Sequence, residues 1–168
     1  MDKYLFEYSS DGRTLLKCER KTTGNITVPA GIISIGYGAF ASCLYLTSVD
    51  LPNTLREIGR YAFSRCINLE SLDVPQGVLR IGVGAFYGCN NLKQILIPSS
   101  VNTIDKYAFS GCTNLNEVHL RHNILVDFSE SFEGIDLSSI SLFVKSTIAK
   151  EVNQHQFYSQ FKKILIEK

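Results

Sequence analysis

The chain has 168 residues and carries 17 basic against 16 acidic side chains, a formal net charge of +1. That balance argues against a nucleic-acid or anionic-membrane partner, which calls for clustered positive charge. No apolar run approaches the roughly 20 residues of a membrane span, yet 45% of the residues are hydrophobic, enough to build the core of one domain.

In chain order, Met1-Asp2-Lys3-Tyr4-Leu5-Phe6 lacks the shape of a signal peptide, so the expectation is a cytosolic chain or one whose leader has been removed. Tyr4 to Tyr8 and Arg13 to Cys18 flank Ser9-Ser10-Asp11-Gly12, which predicts a β-hairpin covering the first open edge. A repeat then takes over. Ala-Phe occurs at Ala39-Phe40, Ala62-Phe63, Ala85-Phe86 and Ala108-Phe109, each copy 23 residues after the last. Pro29, Pro52, Pro75 and Pro98 keep the same phase, as do Cys43, Cys66, Cys89 and Cys112, and Leu46, Leu69, Leu92 and Leu115. A fixed period in the twenties predicts stacked coils rather than a globule around one pocket.

Each coil can be read physically. Ile26-Thr27-Val28, Val49-Asp50-Leu51, Leu72-Asp73-Val74, Ile95-Leu96-Ile97 and Val118-His119-Leu120 alternate with the period of a half-buried strand. Such strands stack in parallel at about 4.8 Å. Proline has no N–H for a ladder, so it marks where a strand stops. The pairs Ile32 and Ile35, Leu55 and Ile58, Val78 and Ile81, Val101 and Ile104 follow. Gly36, Gly59 and Gly82, with Asp105 as the fourth member, predict a tight left-handed corner. The stretch to the cysteine, such as Arg60 to Cys66, predicts one or two helical turns with Phe filling the interior.

The frame decays toward the end. A fifth coil keeps Ile124, Phe132 and Gly134, while Arg121 replaces proline and Ile135 replaces cysteine. Leu137, Ile140 and Leu142 restore the strand pattern after a one-residue deletion. Ser146 is an N-cap for a helix over roughly 147–161, and Ile164-Leu165-Ile166 reads as a closing strand. The expected organisation is one domain: hairpin cap 1–23, about five repeats over 24–145, and helical cap 146–168.

These residues resemble the leucine-rich repeat family, specifically its bacterial BspA-like subclass, whose pattern stands here as Ile58-Gly59-x-x-Ala62-Phe63-x-x-Cys66-x-x-Leu69-x-x-Leu72-x-Val74-Pro75. The resemblance covers about residues 24 to 145. It implies an α/β leucine-rich-repeat solenoid, a right-handed coil with parallel strands on one face, short helical turns and a C-terminal capping helix. It also implies a secreted or cell-surface protein linked to adhesion, with no family catalytic residues to carry over.

The remaining chemistry has a structural reading beside each functional one. Four in-phase cysteines stack with parallel Cβ vectors, which suits a disulfide poorly and cannot surround a metal, so they read as buried reduced thiols; Cys18 stands outside the column. Gly82-x-Gly84-x-x-x-Gly88 lacks the lysine of a phosphate loop. His119 and His122 lie near Glu117 and Asp127, a conceivable metal or acid/base site, but His119 falls in a strand column and reads as a solvent-facing residue. His155 lies in the polar C-terminal helix, and Asn25-Ile26-Thr27 fits a glycosylation sequon. The exposed strand face remains. Its columns bring out Ser48, Asp50, Ser71, Asp73, Gln94, Leu96, Glu117 and His119, a flat, mildly acidic strip suited to a protein bearing basic or amide groups. Its area, roughly 400 Å², falls short of the about 800 Å² per partner of a standard interface. The expectation is a monomeric, non-enzymatic protein-binding module, without cofactor or metal, that adheres to a host or cell-surface protein and neither enters a membrane nor binds nucleic acid. The alternative is a scaffold or spacer segment of an envelope protein, or an intracellular docking protein.

Overall fold

Phenylalanine carries the repeat into three dimensions. A computed structural model describes residues 5–123 and 128–167; Tyr4, Ile124 and Asp127 of the sequence reading lie outside them. The rings of Phe40, Phe63, Phe86, Phe109 and Phe132 form one stacked file, with centroids 4.7, 5.5, 5.6 and 5.0 Å apart. Phe63, Phe86 and Phe109 each sit between two others, so one file serves as the spine of a continuous core. The in-phase Ala, Cys, Leu and Ile columns are buried around it.

The described residues form mainly parallel strands and few helices, as the resemblance implies. On the expected strand face lie β3 (Gly24–Thr27), β5 (Leu46–Asp50), β8 (Gln94–Ile97), β10 (Glu117–Leu120), β11 (Ser141–Lys145) and β12 (Lys163–Glu167). They form a two-stranded sheet, β3-β5, and a four-stranded one, β12-β11-β10-β8, all parallel. Between the two sheets, Ser71 and Asp73 make only isolated bridges, to Ser48 and Leu96, where a full strand was expected. The ladder opens where Asp50 and Asp73 would stand opposite each other, and like charges in that position are destabilising.

A second parallel sheet was not foreseen. The two-residue strands β4 (Ser34–Ile35), β6 (Glu57–Ile58), β7 (Arg80–Ile81) and β9 (Thr103–Ile104) pair in exact register, one per repeat. The N-terminal hairpin, β1 (Phe6–Tyr8) with β2 (Thr14–Cys18), is present and caps this sheet, since β2 pairs with β4. It does not cover the strand face, where β3 is outermost.

The corner glycines are required for a different reason than expected. Gly36, Gly59 and Gly82 do not have positive φ. Instead, a Cβ on Gly59 would come within 2.5 Å of the Ile35 carbonyl, so the position admits no side chain because the neighbouring backbone passes so close. Left-handed backbone falls two residues later, at Gly38, Tyr61, Gly84 and Tyr107, and again at Ser42, Arg65, Gly88 and Gly111.

Those conformations also replace the helical turns expected before each cysteine. The amides of Ala62 and Cys66 close tight turns onto Gly59 and Phe63, but those of Tyr61, Phe63 and Arg65 reach the carbonyls of Val83, Ala85 and Tyr87 in the next repeat. A helix would keep these bonds within its own segment; here they tie repeat to repeat.

At the C-terminus the long helix over 147–161 is absent. A six-residue α1 (Ala149–Gln154) lies between 3₁₀ turns Ser146–Ile148 and Tyr158–Gln160, and extended backbone at His155 ends it. Leu142, not Ile140, aligns with Val118, so the last repeat is one residue longer than the others rather than one shorter. The 3₁₀ turn Leu137–Ser139, capped by the Asp136 side chain, takes up the extra length. The closing strand is present as β12.

Candidate functional site

On a strand, side chains two apart share a face. Thus β5 turns Ser48 and Asp50 outward, β8 turns Gln94 and Leu96, and β10 turns Glu117 and His119, while Val49, Ile95 and Val118 enter the core. Ser71 and Asp73 continue both columns across the gap in the ladder. Ser48, Asp50, Ser71 and Asp73 line a groove of about 300 Å³ with Asn53 and Pro75. Ser71, Asp73, Gln94, Leu96 and His119 line a second, of about 130 Å³, with Arg121. The two share Ser71, Leu72 and Asp73, so they join at the third repeat.

The two acids of the strip differ. Asp50 accepts hydrogen bonds from Asn25 Nδ2 and Thr27 Oγ1, both at 3.2 Å. Asp73 is exposed and has no hydrogen-bond or ion-pair partner among the described residues. Its carboxylate is an available charged acceptor on the strip.

The far end is occupied by the protein itself. His119 does not face solvent openly: its ring stacks on Phe143 with centroids 4.2 Å apart and an interplanar angle of 7°. Its Nδ1 lies 2.9 Å from Glu167 Oε1 and its Nε2 lies 3.3 Å from Glu117 Oε2, two carboxylate acceptors. Arg121 also donates to Glu167. Sequence reasoning missed Arg121, Phe143 and Glu167 here. The available signal was the closing strand, which brings Glu167 alongside His119 across two ladders.

His122 is separate from His119. It is buried, packs against Phe128, and its Nε2–H donates to the Val101 carbonyl at 2.6 Å. Thr54 and Ser100 do the same for the equivalent carbonyls of Ile32 and Val78, so the role is a structural one repeated along the chain. Burial holds the His122 ring below its ordinary pKa, and its Nδ1 is buried without a partner among the described residues. Among the described residues no cluster of His, Cys, Asp and Glu is gathered as for a metal ion. His155 ends α1, its Nδ1 accepting from the Phe157 amide at 3.3 Å.

The cysteines are all buried and free. The thiols of Cys66, Cys89 and Cys112 donate to the carbonyls of Phe40, Phe63 and Phe86 at 3.0, 3.0 and 3.2 Å. Burial pushes Cys66 and Cys112 up to about 12 and raises Cys89 as well. Such thiols are poor nucleophiles. Cys18 Sγ donates to Thr22 Oγ1 at 3.6 Å; interaction with the neighbouring Cys43 thiol lowers the Cys18 thiol and raises that of Cys43. The glycines once compared with a phosphate loop are packing positions; Gly84, for example, lies under the Tyr61 ring.

Comparison with known proteins follows this geometry. The family described as BspA type leucine rich repeat region matches residues 18–126 and 80–168, in six copies. A leucine rich cell surface protein from Faecalibacterium prausnitzii A2-165 is 32% identical, with a TM-score of 0.54 over 71% of this chain and 38% of that one. The present chain therefore spans well under half the length of that relative. A leucine-rich repeat protein from Bacteroides capillosus is 29% identical, with a TM-score of 0.59 over 68% of this chain and 91% of its own. The leucine-rich repeat protein of T. pallidum, 22% identical, has a TM-score of 0.72 over 99% of this chain and 83% of its own, a likeness of fold. A comparison with curated proteins found no match.

Proposed function

Because the chain belongs to the BspA-type leucine-rich repeat family, we propose that it is a non-enzymatic interaction module that binds a host or cell-surface protein through its strand face. The observation that carries this reading is the joined pair of grooves, lined by seven of the eight strip residues: Ser48, Asp50, Ser71, Asp73, Gln94, Leu96 and His119. Glu117 lies beside them, against His119. The unpartnered Asp73 supplies the acceptor for a basic or amide group of the partner, with the hydroxyls of Ser48 and Ser71 around it. The strip is smaller than a standard interface, so the partner reaches the flanks of the strand face as well. Adhesion at the cell surface is supported by the description of the Faecalibacterium relative as a cell surface protein. In this reading the chain is a monomeric solenoid domain, with repeats over 24–145 between terminal caps at 1–23 and 146–168.

The test is capture from a surface-labelled host-cell extract, using the intact domain and its Asp50→Lys/Asp73→Lys variant. Both side chains are exposed, and the bonds Asp50 takes from Asn25 and Thr27 lie at the surface, so the variant still unfolds cooperatively, with a slightly lower midpoint. A labelled protein held by the wild type and lost in the variant supports the reading. Equal capture by both removes the strand face as the recognition surface.

A further inference from the structure

We infer that the surface formed by the turns before each cysteine binds an acidic polysaccharide, one that carries its carboxylate on every second sugar. This goes beyond the strand-face reading and uses other residues.

The first observation is conformational. Tyr61 and Tyr107 have φ of 53° and 61°, in a column where the other repeats place Gly38 and Gly84. Arg65, at φ 59°, shares its column with Ser42, Gly88 and Gly111. The backbone asks for glycine at these positions, and an L side chain there is strained. Strain held at particular surface positions is a mark of function. The tyrosine and arginine side chains are thus kept at positions where the backbone favours glycine.

The second observation is charge. Arg60, Arg65 and Lys106 are exposed, and none is paired with a carboxylate among the described residues. The neighbouring Asp105 is held by Arg80 at 2.7 Å. Arg60 and Lys106 share one column two repeats apart, roughly 10 Å at the spacing of parallel strands.

The third is the fixing of the rings. Tyr37, 74% exposed, meets Tyr61 edge-on at 6.2 Å. Tyr61 lies over Gly84, where a Cβ would stand 2.4 Å from the ring. Lys106 Nζ sits 5.6 Å from the centre of the Tyr107 ring. By phase, Tyr37, Arg60 and Lys106 occupy one column and Tyr61 and Tyr107 the next, so rings and cations run side by side along the repeats.

A pyranose offers an apolar C–H face to a tyrosine ring, and a uronate offers a carboxylate to arginine or lysine. An extended glycan advances about one sugar per repeat, so cations two repeats apart meet carboxylates on alternate sugars. Duplex nucleic acid carries one charge per about 1.7 Å, far denser than this array. An acidic peptide has no flat C–H face for the rings.

The experiment measures binding of a hyaluronan oligosaccharide at low ionic strength, with dextran and polyglutamate as comparison polymers. The wild type is expected to bind hyaluronan in preference to both. Arg60→Glu/Lys106→Glu is expected to weaken binding about tenfold or more. Tyr61→Gly/Tyr107→Gly, in which glycine suits the backbone, is expected to weaken it about fivefold while unfolding cooperatively. Asp50→Lys/Asp73→Lys, which makes the chain more positive, is expected to bind hyaluronan no more weakly than the wild type, which separates this surface from the strand face. Absence of hyaluronan binding, equal affinity for polyglutamate, or undiminished binding by the charge-reversal variant would overturn the proposal.

Discussion

The central repeats and the C-terminal end are held together by different means. In the centre, buried columns repeat the same contact from one coil to the next: Phe63 meets Phe86, and the thiols of Cys66 and Cys89 each reach a phenylalanine carbonyl. At the end, cohesion comes from unlike residues far apart in sequence, as when Glu167 gathers His119 and Arg121. In the centre Gly59 admits no added atom, because repeat sits directly on repeat there. At the end Gly134 has open space around it, and an ion-pair cluster adds to the buried apolar packing.

Alanine at two glycines exposes the contrast most strongly. Gly59→Ala forces a Cβ to within 2.5 Å of the Ile35 carbonyl, and the resulting backbone shift is expected to cost about 3 kcal/mol or more. Gly134→Ala meets nothing within 4 Å and carries only the strain of φ +80°, about 1–2 kcal/mol. Urea unfolding of both variants measures the gap; equal losses would mean that the central repeats are no more tightly stacked than the end.

A smaller effect belongs to the ion pairs. Glu167→Gln removes the charge facing His119 and Arg121, whose side chains remain partly exposed, so the loss is expected near 1 kcal/mol. Hydrogen exchange should quicken in β12 and β11 and stay unchanged in β5.

The smallest is a pH effect at His122. Its folded-state pKa lies below the ordinary 6.5 because burial disfavours the charged ring. The unfolded chain takes up this proton first as pH falls, so the folded state loses stability below about pH 6.5 and is unaffected above it. The slope is at most about 1.4 kcal/mol per pH unit. His122→Gln keeps a donor for the Val101 carbonyl and is expected to remove this share of the pH dependence in urea titrations at pH 7.5 and 5.5.

The same contrast explains what could be read in the sequence. Periodic columns were legible: the phenylalanine file, the buried thiols, the proline-terminated strands and the eight strip residues all follow from phase. The two-residue strands such as Glu57–Ile58 were not, because a ladder that short leaves no alternation to detect. The A-F-x-x-C stretch mimics a helical period, and only the bonds to the next repeat, such as Phe63 N–H to Ala85, distinguish it. The end was least legible. The extra residue before β11, the truncated α1 and the grip of Glu167 on His119 depend on pairings that no period announces. Asp73 was named for its place in a column, but its lack of a partner emerged only from the broken ladder around it.

One consequence follows from the phenylalanine file. Phe86 sees nearly the same surroundings above and below, with neighbours at 5.5 and 5.6 Å in near-parallel planes. Excising a whole unit between two such rings leaves matching surfaces to rejoin, and duplicating one inserts a ready-made neighbour. Copy number can therefore drift by recombination without inventing any new interior, while the outward residues of each unit diverge independently.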